Sequence, residues 1–151
     1  MRNQFERLVT HFTNLVHLSD TAHVAQGGVF AVDEIPISLI YNEAADIGRF
    51  FVYADFGKPP ADKEREAYYE LLKHNFMEFA GKGSMFTISP VTAHVVYIES
   101  FALDTTSAEE VANSLASIST HARDWRETYF LSGPGQLVFG SAAGNSIMAF
   151  N

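Results

Sequence analysis

The chain of 151 residues carries six histidines and eighteen acidic residues, and their spacing decides whether they can do acid–base or metal chemistry. His11, His17 and His23 lie six apart, which takes them off a shared helical face. A helical metal pair needs i, i+3 or i, i+4 spacing. Asp20 and His23 have that spacing, but they stand where the first helix should be ending. These histidines are expected to be exposed or helix-end residues, and no metal site is expected. Asp33-Glu34 reads as a tight turn, and Glu109-Glu110 as a cap and dipole partner. A hydrolytic carboxylate pair must face across a cleft at a set separation, which adjacent positions do not provide. Gly140-Ser141-Ala142-Ala143-Gly144 lacks the central serine of a nucleophile elbow. Neither of the glycine patterns that cradle phosphate occurs. With no cysteine, disulfides, thiolate nucleophiles and thiolate metal sites are excluded. The expectation is no catalytic residue, no cofactor and no enzyme.

Composition narrows the partners. The formal net charge of -8 makes a nucleic-acid backbone a poor ligand. Phe50-Phe51-Val52-Tyr53 could form a base-stacking platform, but only Arg49 and Lys58 flank it, and such platforms come with basic residues. That run reads better as sheet core, with a protein-binding surface second. No apolar run approaches the roughly 20 residues that span a bilayer, and no membrane insertion is expected. The opening Met-Arg-Asn-Gln-Phe-Glu-Arg enters a helical pattern at once and is expected to be helix, not a secretory signal. The absence of cysteine fits a reducing cytoplasm.

The elements that would position any site follow from periodicity. Phe5, Leu8, Val9, Phe12, Leu15 and Val16 form one apolar stripe, predicting a first helix that ends near Ser19, Asp20 and Gln26-Gly27-Gly28. Short strands are predicted over 29–32, 35–41 and 49–56, with Asp33-Glu34 turning between the first two. Ile35, Ile37, Leu39 and Tyr41 alternate with Pro36, Ser38 and Ile40. Pro36 lacks an N–H and should sit near a strand start or on an edge. The strand over 49–56 is apolar on both faces, which implies cover on both sides, and a subunit partner could supply one of them. Pro59-Pro60 is expected to start a second helix with Tyr68, Leu71, Leu72, Phe76 and Phe79 on its apolar face, stopping at Gly81-Lys82-Gly83. Strands over 84–89 and 92–101 follow. Ser107 and Glu110 fit a capping box. Val111, Leu115, Ile118, Ala122, Trp125 and Tyr129 then mark a third helix ending near Phe130. The fold class is α+β, an antiparallel sheet with flanking helices in the order α-β-β-β-α-β-β-α. An extra segment over 131–151, uncharged and with four glycines, follows the domain at 1–130.

The helix carrying Leu71-Leu72-Lys73-His74-Asn75-Phe76, read as Leu-Leu-x-x-Asn, feeds directly into a strand pair. Together with the small acidic chain, the early three-strand meander and the Trp125-bearing last helix, this resembles the class I type III secretion chaperones, the Tir-chaperone family. The resemblance covers about residues 5–130. It implies a cytoplasmic homodimer that binds the extended N-terminal segment of a secreted effector and keeps it soluble and secretion-competent. It places Tyr68, Leu72, Asn75, Phe76 and Phe79 at the dimer interface. It places Phe5, Phe12, Val16, Val29, Ile37, Ile40 and Phe50 in effector-binding grooves. Each of these residues also has a core reading, because apolar side chains usually go inside. Two alternatives are a chaperone-like adaptor or regulator outside secretion, and a small ligand-binding domain or enzyme with a pocket under the first helix. The 131–151 segment is expected to dock along a strand edge or groove.

Overall fold

A computed structural model describes residues 1–131, without the side chains of 79–82. The expected docking of 131–151 falls, beyond its first residue, outside the described residues. The elements run α1 (Arg2–Leu15), α2 (Thr21–Ala25), β1 (Phe30–Val32), β2 (Ile35–Ile40), β3 (Arg49–Gly57), α3 (Glu64–Lys82), β4 (Met85–Ile88), β5 (Val95–Ala102) and α4 (Ala108–Thr128). The strands form one antiparallel sheet in the order β1-β2-β3-β5-β4. This is the α+β architecture expected from the pattern, with one added helical turn. Asp20 makes that turn, α2, because its carboxylate accepts from the His23 N–H (2.9 Å) and caps the helix start. The i, i+3 spacing of Asp20 and His23 thus serves a cap. Pro59-Pro60 does not open α3. The prolines belong to the turn before it, where the Lys63 N–H donates to the Pro60 carbonyl (2.9 Å), and the helix begins at Glu64.

The strand alternation is realised in burial. Ile35, Ile37 and Leu39 of β2 face inward, as do Phe50, Val52, Ala54 and Phe56 of β3. Pro36 is the second residue of β2, and β2–β3 pairing begins only at Ile37↔Ala54, so its missing N–H costs no ladder bond. Asp33 and Glu34 both adopt positive φ, the geometry of a two-residue hairpin turn. Asp33 also accepts from the Ser119 hydroxyl (3.1 Å) and faces Arg123 (3.6 Å), tying the β1–β2 hairpin to α4.

One side of the sheet carries the core. Phe5, Val9 and Phe12 of α1 pack there, as do Val111, Leu115, Ile118, Ala122 and Trp125 of α4. Phe5 lies between Tyr41 (5.3 Å) and Phe50 (5.6 Å), and Trp125 lies against Phe56 (6.0 Å). The Ser107 hydroxyl accepts from the Glu110 N–H (3.1 Å), starting α4 where the capping pattern placed it. Arg126 donates to the Phe56 and Asp55 carbonyls (2.9 and 3.1 Å) and locks α4 onto the bulged end of β3. On the other face, a row runs Ser38, Tyr53, Ile98, Met85 across four strands by register. Tyr53 and Met85 are exposed there, and Ser38 and Ile98 keep part of their surface.

Candidate protein-binding surfaces

The first surface is built by α3. Glu64 and Glu66 stand in its first turn, where carboxylates suit the positive end of the helix dipole. Ala67 and Leu71 are buried, and His74 and Asn75 continue that face as half-buried residues. His74 packs against Phe130 (4.7 Å, rings tilted), just beyond α4. Burial lowers the His74 pKa below its ordinary 6.5, and the nearby Glu78 carboxylate opposes that shift. Asn75 turns to the edge strand β4: its Oδ1 accepts from the Phe86 N–H (2.6 Å) and its Nδ2 donates to the Phe86 carbonyl (2.9 Å).

The opposite face of α3 also carries large apolar side chains and points outward. Tyr69, Leu72 and Phe76 recur at i, i+3 and i+7, with relative exposures of 64%, 67% and 85%. Met77 and, on β4, Met85 and Ile88 are exposed as well. A helix apolar on two faces needs two covers, and the fold described supplies one. Tyr69, Met77, Met85 and Ile88 were not among the expected interface residues. The Tyr69–Leu72–Phe76 spacing was visible in the chain, but Leu71 and Tyr68 drew the same helix toward a single-face reading. Tyr68 is half-buried. Phe79 is among the residues whose side chains are not described.

The second surface lies where α1 ends and β1 begins. Leu15, Val16 and Val29 are exposed, Val29 by 60%. Ile40 is half-buried beside Gly27, where a Cβ would come within 2.9 Å of the Ile40 Cδ1. Gly27 has φ +82, so the close approach of that loop to β2 depends on glycine twice over. A recess of about 170 Å³ between α1, the α2–β1 loop and β2 is lined by Arg2, Ala25, Gln26, Gly27, Ile40 and Tyr41. Arg2 stands over the Tyr41 ring (5.1 Å), and the Tyr41 hydroxyl donates to the Ile47 carbonyl (3.0 Å). Of the seven expected groove residues, Val16, Val29 and Ile40 thus present surface. Phe5, Phe12, Ile37 and Phe50 lie in the core.

Tyr97 and His94 each have a structural partner. Tyr97 is packed between Phe56 and Phe86, and burial next to the Glu99 carboxylate pushes its hydroxyl far above the ordinary range. The hydroxyl therefore stays protonated and donates toward Glu99 (3.4 Å), which also accepts from Ser114 (3.3 Å). His94, the residue before β5, pairs with Asp55 of β3 (2.9 Å). His11, His17 and His23 are exposed.

The sequence matches the model of the Tir chaperone protein (CesT) family over residues 7–126. No curated protein matches the chain in sequence. Solved structures share its fold at low identity, among them one chain from each of three complexes. One is the type III secretion chaperone SycH of Yersinia pestis in complex with a stable fragment of YscM2. It is 17% identical with a TM-score of 0.59, over 80% of this chain and 98% of that one. Another is a chain of the ExsC–ExsE complex, 16% identical with a TM-score of 0.62, over 84% and 94%. A third belongs to the HopA1–SchA chaperone–effector complex, 14% identical with a TM-score of 0.64, over 83% and 95%. Among the described residues no helix is long and apolar enough to cross a membrane.

Proposed function

The chain belongs to the Tir chaperone protein (CesT) family, and from that membership we propose that it is a type III secretion chaperone. It binds the N-terminal segment of a secreted effector in extended form, in the bacterial cytoplasm, and works by binding without covalent chemistry. The observation that carries this reading is the family match over 7–126, which takes in nearly every described element from α1 to α4.

The surfaces fit two kinds of contact. The outer face of α3, with Tyr69, Leu72 and Phe76, is the homodimer contact, since a two-fold axis covers one apolar patch with its own copy. Val16, Val29 and Ile40 are the side chains offered to the effector. Strand β1 is a sheet edge, and its Ala31 lies opposite Pro36 with main-chain groups turned outward, so it can add hydrogen bonds to an extended chain. Apolar burial contributes about 25 cal/mol per Å². Ordering the effector segment offsets several kcal/mol of that gain, which keeps the complex reversible.

Purification from the native host with its bound protein tests the function. The expected result is a secreted protein whose N-terminal segment alone is protected from protease by the chaperone. Retention of a small metabolite with turnover, or protection of a folded globular domain, would overturn the reading. Val29→Asp should weaken the captured segment's affinity at least severalfold while leaving the thermal midpoint unchanged, because Val29 stands outside the core.

A further inference from the structure

The two edges of the sheet are treated differently. β1 and β4 are the outer strands. An edge strand turns alternate N–H and C=O groups away from its neighbour, a template for another strand. The Ser89 N–H donates to the His94 carbonyl (2.9 Å) beyond the β4–β5 pairing, so Met85 and Thr87 also face β5 by alternation. Phe86 and Ile88 therefore point their main-chain groups outward.

Both groups of Phe86 are taken by one side chain. Phe86 donates to Asn75 Oδ1 at 2.6 Å and accepts from Asn75 Nδ2 at 2.9 Å. A carboxamide presents the same acceptor and donor as a peptide unit, so Asn75 occupies the place of a neighbouring strand. At the other edge, no side chain among the described residues is hydrogen-bonded to the main chain of Ala31. The Leu-Leu-x-x-Asn helix thus carries a plug for one edge.

We propose that Asn75 is a positioning residue that closes the β4 edge to strand addition, so that an extended chain adds at β1 and not at β4. The choice of edge rests on the extended-partner reading above, whereas the closure of β4 does not.

The test uses the full chain with Asn75→Ala and Asn75→Asp. An aspartate carboxylate still accepts from the Phe86 N–H but has nothing to donate to the carbonyl. Its protonated form again offers one acceptor and one donor. Each variant is compared with the unmodified protein at the same pH, by hydrogen exchange at the Phe86 amide and by sedimentation velocity. Asn75→Ala should lose at least tenfold of the protection at Phe86 and form larger species at every pH. Asn75→Asp should do so at neutral pH and recover protection as the pH falls from about 7 to about 4, through the range where a carboxyl titrates. Unchanged Phe86 protection in Asn75→Ala, absence of larger species in both variants, or identical behaviour of Asn75→Asp across that range would overturn the proposal. Loss of the α3 helical signal in both variants would make Asn75 a folding residue and overturn it too. No effector enters these measurements, so their failure leaves the chaperone reading standing, and failure to capture an effector leaves them intact.

Discussion

Helices α3 and α4 are of similar length, and both carry apolar residues at helical spacing, yet they end in opposite situations. In α4 the seam Val111, Leu115, Ile118, Ala122 and Trp125 is buried against the sheet and α1. In α3, Ala67 and Leu71 are buried while Tyr69, Leu72 and Phe76 stand in solvent. The difference lies in how the apolar residues are distributed around each axis. One stripe can be satisfied by one neighbour, and α4 finds its neighbour within the protomer. Two stripes require a second surface, and α3 sits at the sheet's edge strand, where one side faces out. The same residue types therefore act as fold in one helix and as interface in the other.

Substitutions in the two helices should separate these roles. Trp125→Ala empties the centre of the α4 seam and should cost about 3–5 kcal/mol, the range for deleting a buried aromatic. Equilibrium denaturation reads this directly, and a loss below about 1 kcal/mol would mean that α4 is not the keystone its burial implies. Phe76→Asp, on the exposed stripe of α3, should leave fold stability within about 0.5 kcal/mol. It should weaken self-association at least tenfold, moving the sedimenting species to monomer at micromolar concentration. Unfolding by this variant would place Phe76 in the core and erase the contrast between the helices.

Their starts differ as well. Ser107 caps α4 through its hydroxyl, whereas Lys63 before α3 makes no side-chain cap. Ser107→Ala should cost about 1 kcal/mol, the usual loss for a removed cap. Lys63→Ala should change little. Equal effects from the two would remove the distinction.

The smallest effect concerns pH. Burial holds the His74 pKa below 6.5, so the unfolded chain binds a proton at a pH where the folded chain does not. Stability from this group is full above pH 6.5 and falls as the pH drops from there toward the folded pKa. His74→Gln should flatten that part of the stability profile relative to the unmodified protein. A steeper loss in the variant would reverse the sign and show that His74 is stabilised in its charged form.

Much of the architecture was legible in the chain. The alternation in 35–41, the turn at Asp33-Glu34, the Ser107 cap and the α4 seam each show in the spacing of residues close in sequence, which local pattern encodes. The α2 turn was missed because a five-residue helix contains too little periodicity to register, and its Asp20 cap resembled a helix end. The start of α3 was placed four residues early because a proline pair serves a turn before a helix as readily as the helix itself. The groove assignment divided for a different reason. Phe12 and Val16 belong to one stripe of α1, but Phe12 meets Phe30 (5.8 Å) while Val16 lies past the helix end. Phe12→Asp is accordingly a core substitution, while Val29 is a surface one.

The sequence by itself determined the class of the fold and held the Leu-Leu-x-x-Asn helix as its most telling feature. These follow from periods of two and of three to four and from the order of residue types, all properties of the chain read along its length. Only the tertiary structure decided which apolar residues are covered and what Asn75 holds. Asn75 and Phe86 are 11 residues apart, and no periodicity joins a helix side chain to the main chain of an edge strand. Whether Leu72 or Leu71 faces water depends on where α3 lies against β4, and that placement is set by packing between elements, which the pattern within either element does not contain.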